Sequence, residues 1–184
     1  MHINSWILIA TSTLVFTHAN ADAVSEKEKA YFLRITDKSV FKLKTNPAWE
    51  SFRKKKRFGG MFYRYNYSVK SATPNKRYDS VAVVQLTKVA WNIPGASASD
   101  MGAMLLGLKM GLRDSKLRMI HTTQSGNTAW SLYDIANKDK VIGSTILARS
   151  GQVTTLYSLF GIRLNKETAS ILATALIKKA KSAK

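Results

Sequence analysis

Cysteine is absent from this 184-residue chain. That excludes disulfides and cysteine-ligated metals, so the core alone must hold the fold. Acid is scarce as well: 11 Asp and Glu stand against 29 Lys and Arg, a formal net charge of +18. Beyond residue 21, His121 is the only imidazole. With the acids thinly spread and no EF-hand-like loop, no metal centre and no cofactor is expected. The chain has no P-loop, no dinucleotide fingerprint and no G-x-S-x-G elbow. No run after the first 21 residues is long and apolar enough to cross a bilayer.

Those first 21 residues contain no Lys, Arg, Asp or Glu. Trp6 to Phe16 has the length of a signal-peptide h-region, and Ala19-Asn20-Ala21 is the small-x-small pattern a signal peptidase accepts. The n-region departs from the pattern, with only the terminal amine and His2 for positive charge. The expectation is a signal peptide over 1–21 and a single domain over 22–184, long enough for a real core. Export without disulfides points to a bacterial periplasmic or secreted protein.

The pattern predicts an α+β fold. Val24–Tyr31 reads as a short helix and Phe32–Leu43 as strand-like, broken at Asn46-Pro47. Ser51–Phe58 is a basic run, followed by a turn at Gly59-Gly60. Phe62–Val69 alternates as a strand, with Tyr63, Tyr65, Tyr67 and Val69 on one face. Ser80–Trp91 is a strand covered on both sides. Ser97 or Ser99 caps a helix with Asp100 in its first turn. Its apolar stripe is Met101, Met104, Leu105, Leu108 and Leu112, and Ala103, Gly107 and Gly111 form a small-residue face for close packing. Strands over Leu117–Thr123, Thr128–Ala136, Val141–Arg149 and Val153–Ile162, joined by short turn-forming links, predict antiparallel hairpins. Asn165 caps a last helix with Ile171, Leu172, Ala175 and Leu176 as its stripe and Lys178, Lys179, Lys181 and Lys184 near its end.

The order Gly126-Asn127-Thr128-Ala129-Trp130, Val153-Thr154-Thr155-Leu156-Tyr157 and Asn165–Lys179 resembles the Mog1/PsbP-like α/β/α sandwich over about a third of the chain. The resemblance implies a mostly antiparallel sheet packed with two main helices. It also implies a binding or assembly factor rather than an enzyme.

From Ser51 to Tyr78 there are nine Lys or Arg and no acid, with seven aromatic rings interleaved. Like charges held this close repel, so the window reads as a surface for an anionic partner. Arg53, Lys54, Lys55, Lys56 and Arg57 are its centre, and Arg64, Lys70, Lys76 and Arg77 are further candidate contacts. Phe58, Phe62, Tyr63, Tyr65 and Tyr67 are candidates for stacking or insertion if their face is open, and core if it is covered. A solvated loop serving solubility is the plain alternative for the cations.

The expected function is therefore binding of an acidic lipid headgroup, a phosphoinositide or an acidic glycan by an exported protein, including a role at host membranes. Nucleic acid ranks lower, because the compartment holds little of it. A second reading, from the sandwich resemblance, is an envelope assembly or partner-protein-binding factor. A third is a small hydrolase built on His121 and Asp134, with Ser131 or Ser144 as nucleophile. Asp134 otherwise reads as a buried carboxylate with Arg149 or Lys140 as partner. Glu50 and Asp134 are the only arguable carboxylate pair for sugar hydrolysis.

Overall fold

A computed structural model describes residues 23–34, 49–57, 60–70, 80–90, 96–112 and 114–182. The expected signal peptide, most of the Phe32–Leu43 strand, Phe58, Lys76 and Arg77 lie outside them. Of Arg57, Val69 and Lys70 only the backbone is described.

Among the described residues seven strands form one antiparallel sheet: β1 (Trp49–Arg57), β2 (Gly60–Lys70), β3 (Ser80–Ala90), β4 (Ser115–Ser125), β5 (Thr128–Asn137), β6 (Lys140–Ser150) and β7 (Val153–Phe160). Among the described residues three helices accompany it: α1 (Glu26–Lys29), α2 (Ala96–Gly111) and α3 (Lys166–Ser182). The class is α+β. The sheet order is β1-β2-β3-β7-β6-β5-β4. Two meanders thus meet at β3 and β7, and α2 links β3 to the far edge.

The short links do what their residues predict. Gly126 and Gly151 take positive φ in the β4–β5 and β6–β7 turns, and Lys138 does so in the β5–β6 turn. Central strand β7 is buried along its whole length, as its continuous apolar and hydroxyl sequence requires.

Alternation assigns residues to two faces. Tyr65, Val83, Leu132, Ile146, Tyr157 and Leu159 pack with Leu172, Ala173 and Leu176 of α3. Val84, Leu86, Leu147, Leu156 and Phe160 pack with Met104 and Leu108 of α2 and with Leu112 just past its end. These are called the α3 face and the α2 face below.

Several local expectations change. The basic run is strand β1, not a loop, because each residue from Trp49 to Arg57 finds a partner on β2. Helix α2 already begins at Ala96, so Ser97 and Ser99 lie inside it and do not cap it. Its inner stripe is the expected one, but Ala103 of the small-residue face is exposed. In α3 the buried set is Ala169, Leu172, Ala173, Leu176 and Ala180, while Ile171 points to solvent. Asn165 does cap this helix, its Oδ1 accepting from Thr168 N–H at 2.8 Å.

The N-terminal segment 23–34 covers the α3 face where α3 does not reach. Ser25 and Glu28 form a capping box on α1. Leu33 N–H donates to Gln85 Oε1, and Gln85 Nε2 donates to Tyr31 O, both at 2.9 Å. Phe32 is buried against Phe52, Tyr63 and Tyr65.

Candidate functional site

Strand period divides the five consecutive cations. Arg53 and Lys55 fall on the α2 face, while Lys54 and Lys56 fall on the α3 face. The chain therefore presents two half-runs on opposite sides of a sheet edge.

On the α2 face the half-run meets further cations. Arg53 stands directly opposite Arg64. A neighbouring row runs Lys55, Phe62, Lys88, Thr154, Arg149 across five strands. Arg64 is only 6% exposed and Lys88 8%, while Arg53 and Lys55 are half-buried. Lys88 Nζ lies over the Phe62 ring, 5.4 Å from its centroid. Arg64 Nε donates to Asn66 Oδ1 at 2.9 Å, and Asn66 Nδ2 donates to Ser51 Oγ at 3.2 Å. These bonds fix the guanidinium against the sheet. Burial, and then the charge of Arg53, lower the pKa of Arg64. Thr154, fully buried between Lys88 and Arg149, has no hydrogen-bond partner for its hydroxyl among the described residues. Strands β2, β3, β6 and β7 contain no acid. Like charges directly opposite one another repel, so this register concentrates positive potential on the α2 face.

The α3 face treats its half-run differently. Lys54 Nζ donates to Glu28 at 3.0 and 3.2 Å, and Tyr63 OH donates to the same carboxylate at 3.2 Å. Tyr63 and Tyr65 lie under segment 23–34, against Tyr31 and Phe32, and Tyr67 is buried beside Tyr65 in the same core. Covered rings cannot stack on a base or a sugar, so the three tyrosines are core. Lys56 remains exposed on this side. Phe62 is half-buried on the α2 face, within the cationic row.

Asp134 is buried on the α3 face. Ser144 Oγ donates to its Oδ1 at 3.4 Å and accepts from Leu164 N–H at 3.0 Å. Arg163 reaches Oδ2 at 2.9 Å, an ion pair whose angle is not that of a hydrogen bond. The partner is thus Arg163 rather than Arg149 or Lys140; Arg149 lies on the opposite face. His121 packs on Trp130 with ring centroids 4.9 Å apart. Ser131 shares a 2.8 Å hydroxyl bond with Thr122. Glu50 pairs with Arg34 at 2.9 Å. It stands five strand spacings from Asp134, roughly 24 Å. A glycosidase pair needs about 5–9.5 Å, so these two carboxylates do not form one. Among the described residues no group of three or more His, Asp or Glu is placed to hold a metal, and no helix is long and apolar enough to cross a membrane.

Lys88, Arg149 and Thr154 were not legible as site residues. The available signal was a cation near the end of each of two acid-free strands, Lys88 in β3 and Arg149 in β6, at positions that face the same way as Arg53. No family model matches the chain, and no curated protein or solved structure is significantly similar to it.

Proposed function

We propose that this chain binds a polyanionic ligand or surface through the α2 face of β1, β2 and β3, with the half-buried Arg53 and Lys55 as the contacting cations and the buried Arg64 and Lys88 adding positive potential behind them. The observation that carries this reading is register: Arg53 opposite Arg64, and Lys55 and Lys88 on either side of Phe62. The ligand chemistry is clustered phosphate, sulfate or carboxylate, as on an acidic lipid headgroup or an acidic glycan. Near an anionic membrane each cation contributes about 1 kcal/mol, so a cluster of this size is enough for useful affinity.

Binding rather than catalysis is supported by the engagement of Asp134 with Arg163 and of His121 with Trp130. Export of the chain past residue 21 and a Mog1/PsbP-like sandwich with two main helices are parts of the same proposal. The packing of α2 and α3 on opposite sheet faces is consistent with that architecture.

The test compares two double variants of equal charge change. Arg53→Glu/Lys55→Glu alters the α2 face, and Lys56→Glu/Lys178→Glu alters exposed cations away from it. Binding to immobilised heparin and to phosphatidylglycerol vesicles is measured at low and high salt. The first variant is expected to lose binding while the second keeps most of it, and parent binding falls with salt. Arg53→Gln/Lys55→Gln serves if the reversal unfolds the chain. Equal losses from both pairs would reduce the effect to net charge and overturn the site.

A further inference from the structure

Past Asp100, helix α2 is nearly free of charged and polar side chains. From Met101 to Leu112, Lys109 is its only charged residue. Its inner side buries Met104 and Leu108, with Leu112 buried just past its end. Its outer side presents Gly102, Ala103, Leu106, Lys109 and Met110, with Leu106 58% and Met110 74% exposed. A helix with one side on a core ordinarily turns charged and polar residues to water. Helix α3 obeys that rule, exposing Lys166, Glu167, Ser170, Thr174, Lys178 and Lys181 alongside Ile171. The two helices of one molecule therefore differ in what their outer sides meet.

The sheet also exposes an apolar side chain on this face. Met119 of β4 is 59% exposed, on the α2 face opposite Tyr133, which packs into the α2 core. This is the sheet face that carries Arg53, Lys55, Arg64 and Lys88. Apolar side chains and cations on one side of a molecule are matched by a partner that offers both acyl chains and anionic groups. A second copy of a chain with net charge +18 matches the first and opposes the second.

We infer that the α2 face docks on an acidic lipid bilayer, with the outer side of α2 entering the headgroup–acyl boundary and Arg53 and Lys55 of β1 meeting the phosphates. This rests on the anion-binding reading of that face and specifies its ligand.

The experiment uses the full chain, with Leu106→Ser/Met110→Ser beside Arg53→Gln/Lys55→Gln. Each is titrated with phosphatidylcholine vesicles, phosphatidylcholine–phosphatidylglycerol vesicles and heparin. The exposed positions 106 and 110 tolerate serine without loss of core, and circular dichroism verifies it. The Leu106/Met110 variant is expected to lose roughly tenfold or more on the acidic vesicles and to keep its heparin affinity. The Arg53/Lys55 variant loses both. If the Leu106/Met110 variant keeps full vesicle affinity while the cation variant loses it, anion binding stands and insertion is overturned. Heparin binding by the parent without vesicle binding has the same meaning. Vesicle affinity unchanged in the Leu106/Met110 variant, together with loss of self-association in sedimentation, would assign the stripe to a second copy instead. Full binding of all ligands by the cation variant would overturn both readings.

Discussion

Lys54 donates to Glu28 at 3.0 Å and so ties the edge strand to the N-terminal segment that covers it. One of five adjacent cations is thereby turned to a structural task. Tyr63 adds its hydroxyl to the same carboxylate, and Tyr31 stacks on Tyr63 with ring centroids 5.0 Å apart. Segment 23–34 is held by this polar clasp, by Gln85 and by Phe32 together.

The clasp has a pH signature. Burial opposes charge on Glu28, but hydrogen bonds from Ser25, Lys54 and Tyr63 outweigh it and lower the pKa from 4.5 to about 2. A carboxyl depressed in the folded state contributes stability that is complete above its unfolded value and is lost as pH falls through its folded value. Glu28→Gln is expected to cost roughly 1–2 kcal/mol at neutral pH, allowing for solvent screening. The gap between parent and variant should close from about pH 4.5 down to about pH 2. Urea unfolding at neutral pH and near pH 2 measures it, and a gap independent of pH would refute the assignment.

Asp134 and Arg163 form an asymmetric pair: the acid is buried and the base is 59% exposed. Arg163→Ala leaves a carboxylate in the core and is expected to cost about 3 kcal/mol. Asp134→Asn frees an arginine that water can solvate and is expected to cost about 1–2 kcal/mol. Denaturant midpoints of the two variants decide the order. A larger loss from Asp134→Asn would show that the Ser144 contact, not the ion pair, dominates.

Two glycines predict opposite signs. A Cβ on Gly143 would run into the backbone oxygen of Leu159, so Gly143→Ala must push β6 from β7. A loss of at least about 2 kcal/mol is expected. A Cβ on Gly102 meets nothing within 4 Å, and the residue lies within α2. Gly102→Ala is expected to add about 1 kcal/mol. Thermal melts of the pair provide the comparison.

Phe32 anchors segment 23–34, fully buried among Phe52, Tyr63 and Tyr65. Phe32→Ala is expected to cost about 3–5 kcal/mol and to open the segment to protease. Limited proteolysis followed by mass spectrometry locates the cuts. Unchanged protection of 23–34 would mean that Gln85 and Glu28 suffice to hold it.

Much of the architecture was readable along the chain. The hairpins from β4 to β7 follow from short apolar runs separated by Gly126, by Lys138-Asp139 and by Gly151. The inner stripe of α2 and the Asn165 cap follow from spacing of the same local kind. Strand β1 was not readable, because five neighbouring cations resemble a solvated loop until β2 supplies their partners. Arg163 was not named for Asp134, because the candidates were drawn from the strands rather than from the link into α3.

Local chemistry sets what each segment becomes: a period of two makes a strand, a period of 3.6 makes a helix, and a positive φ makes a turn. Alternation likewise announced that Tyr63, Tyr65 and Tyr67 share a side. It carried no information on whether that side would be covered, since the cover over Tyr63 and Tyr65 comes from residues 23–34, far away in the chain. The gathering of Arg53, Lys55, Arg64 and Lys88 has the same origin. Neighbours across a sheet are chosen by pairing and register between separate strands, and one strand's own pattern contains neither.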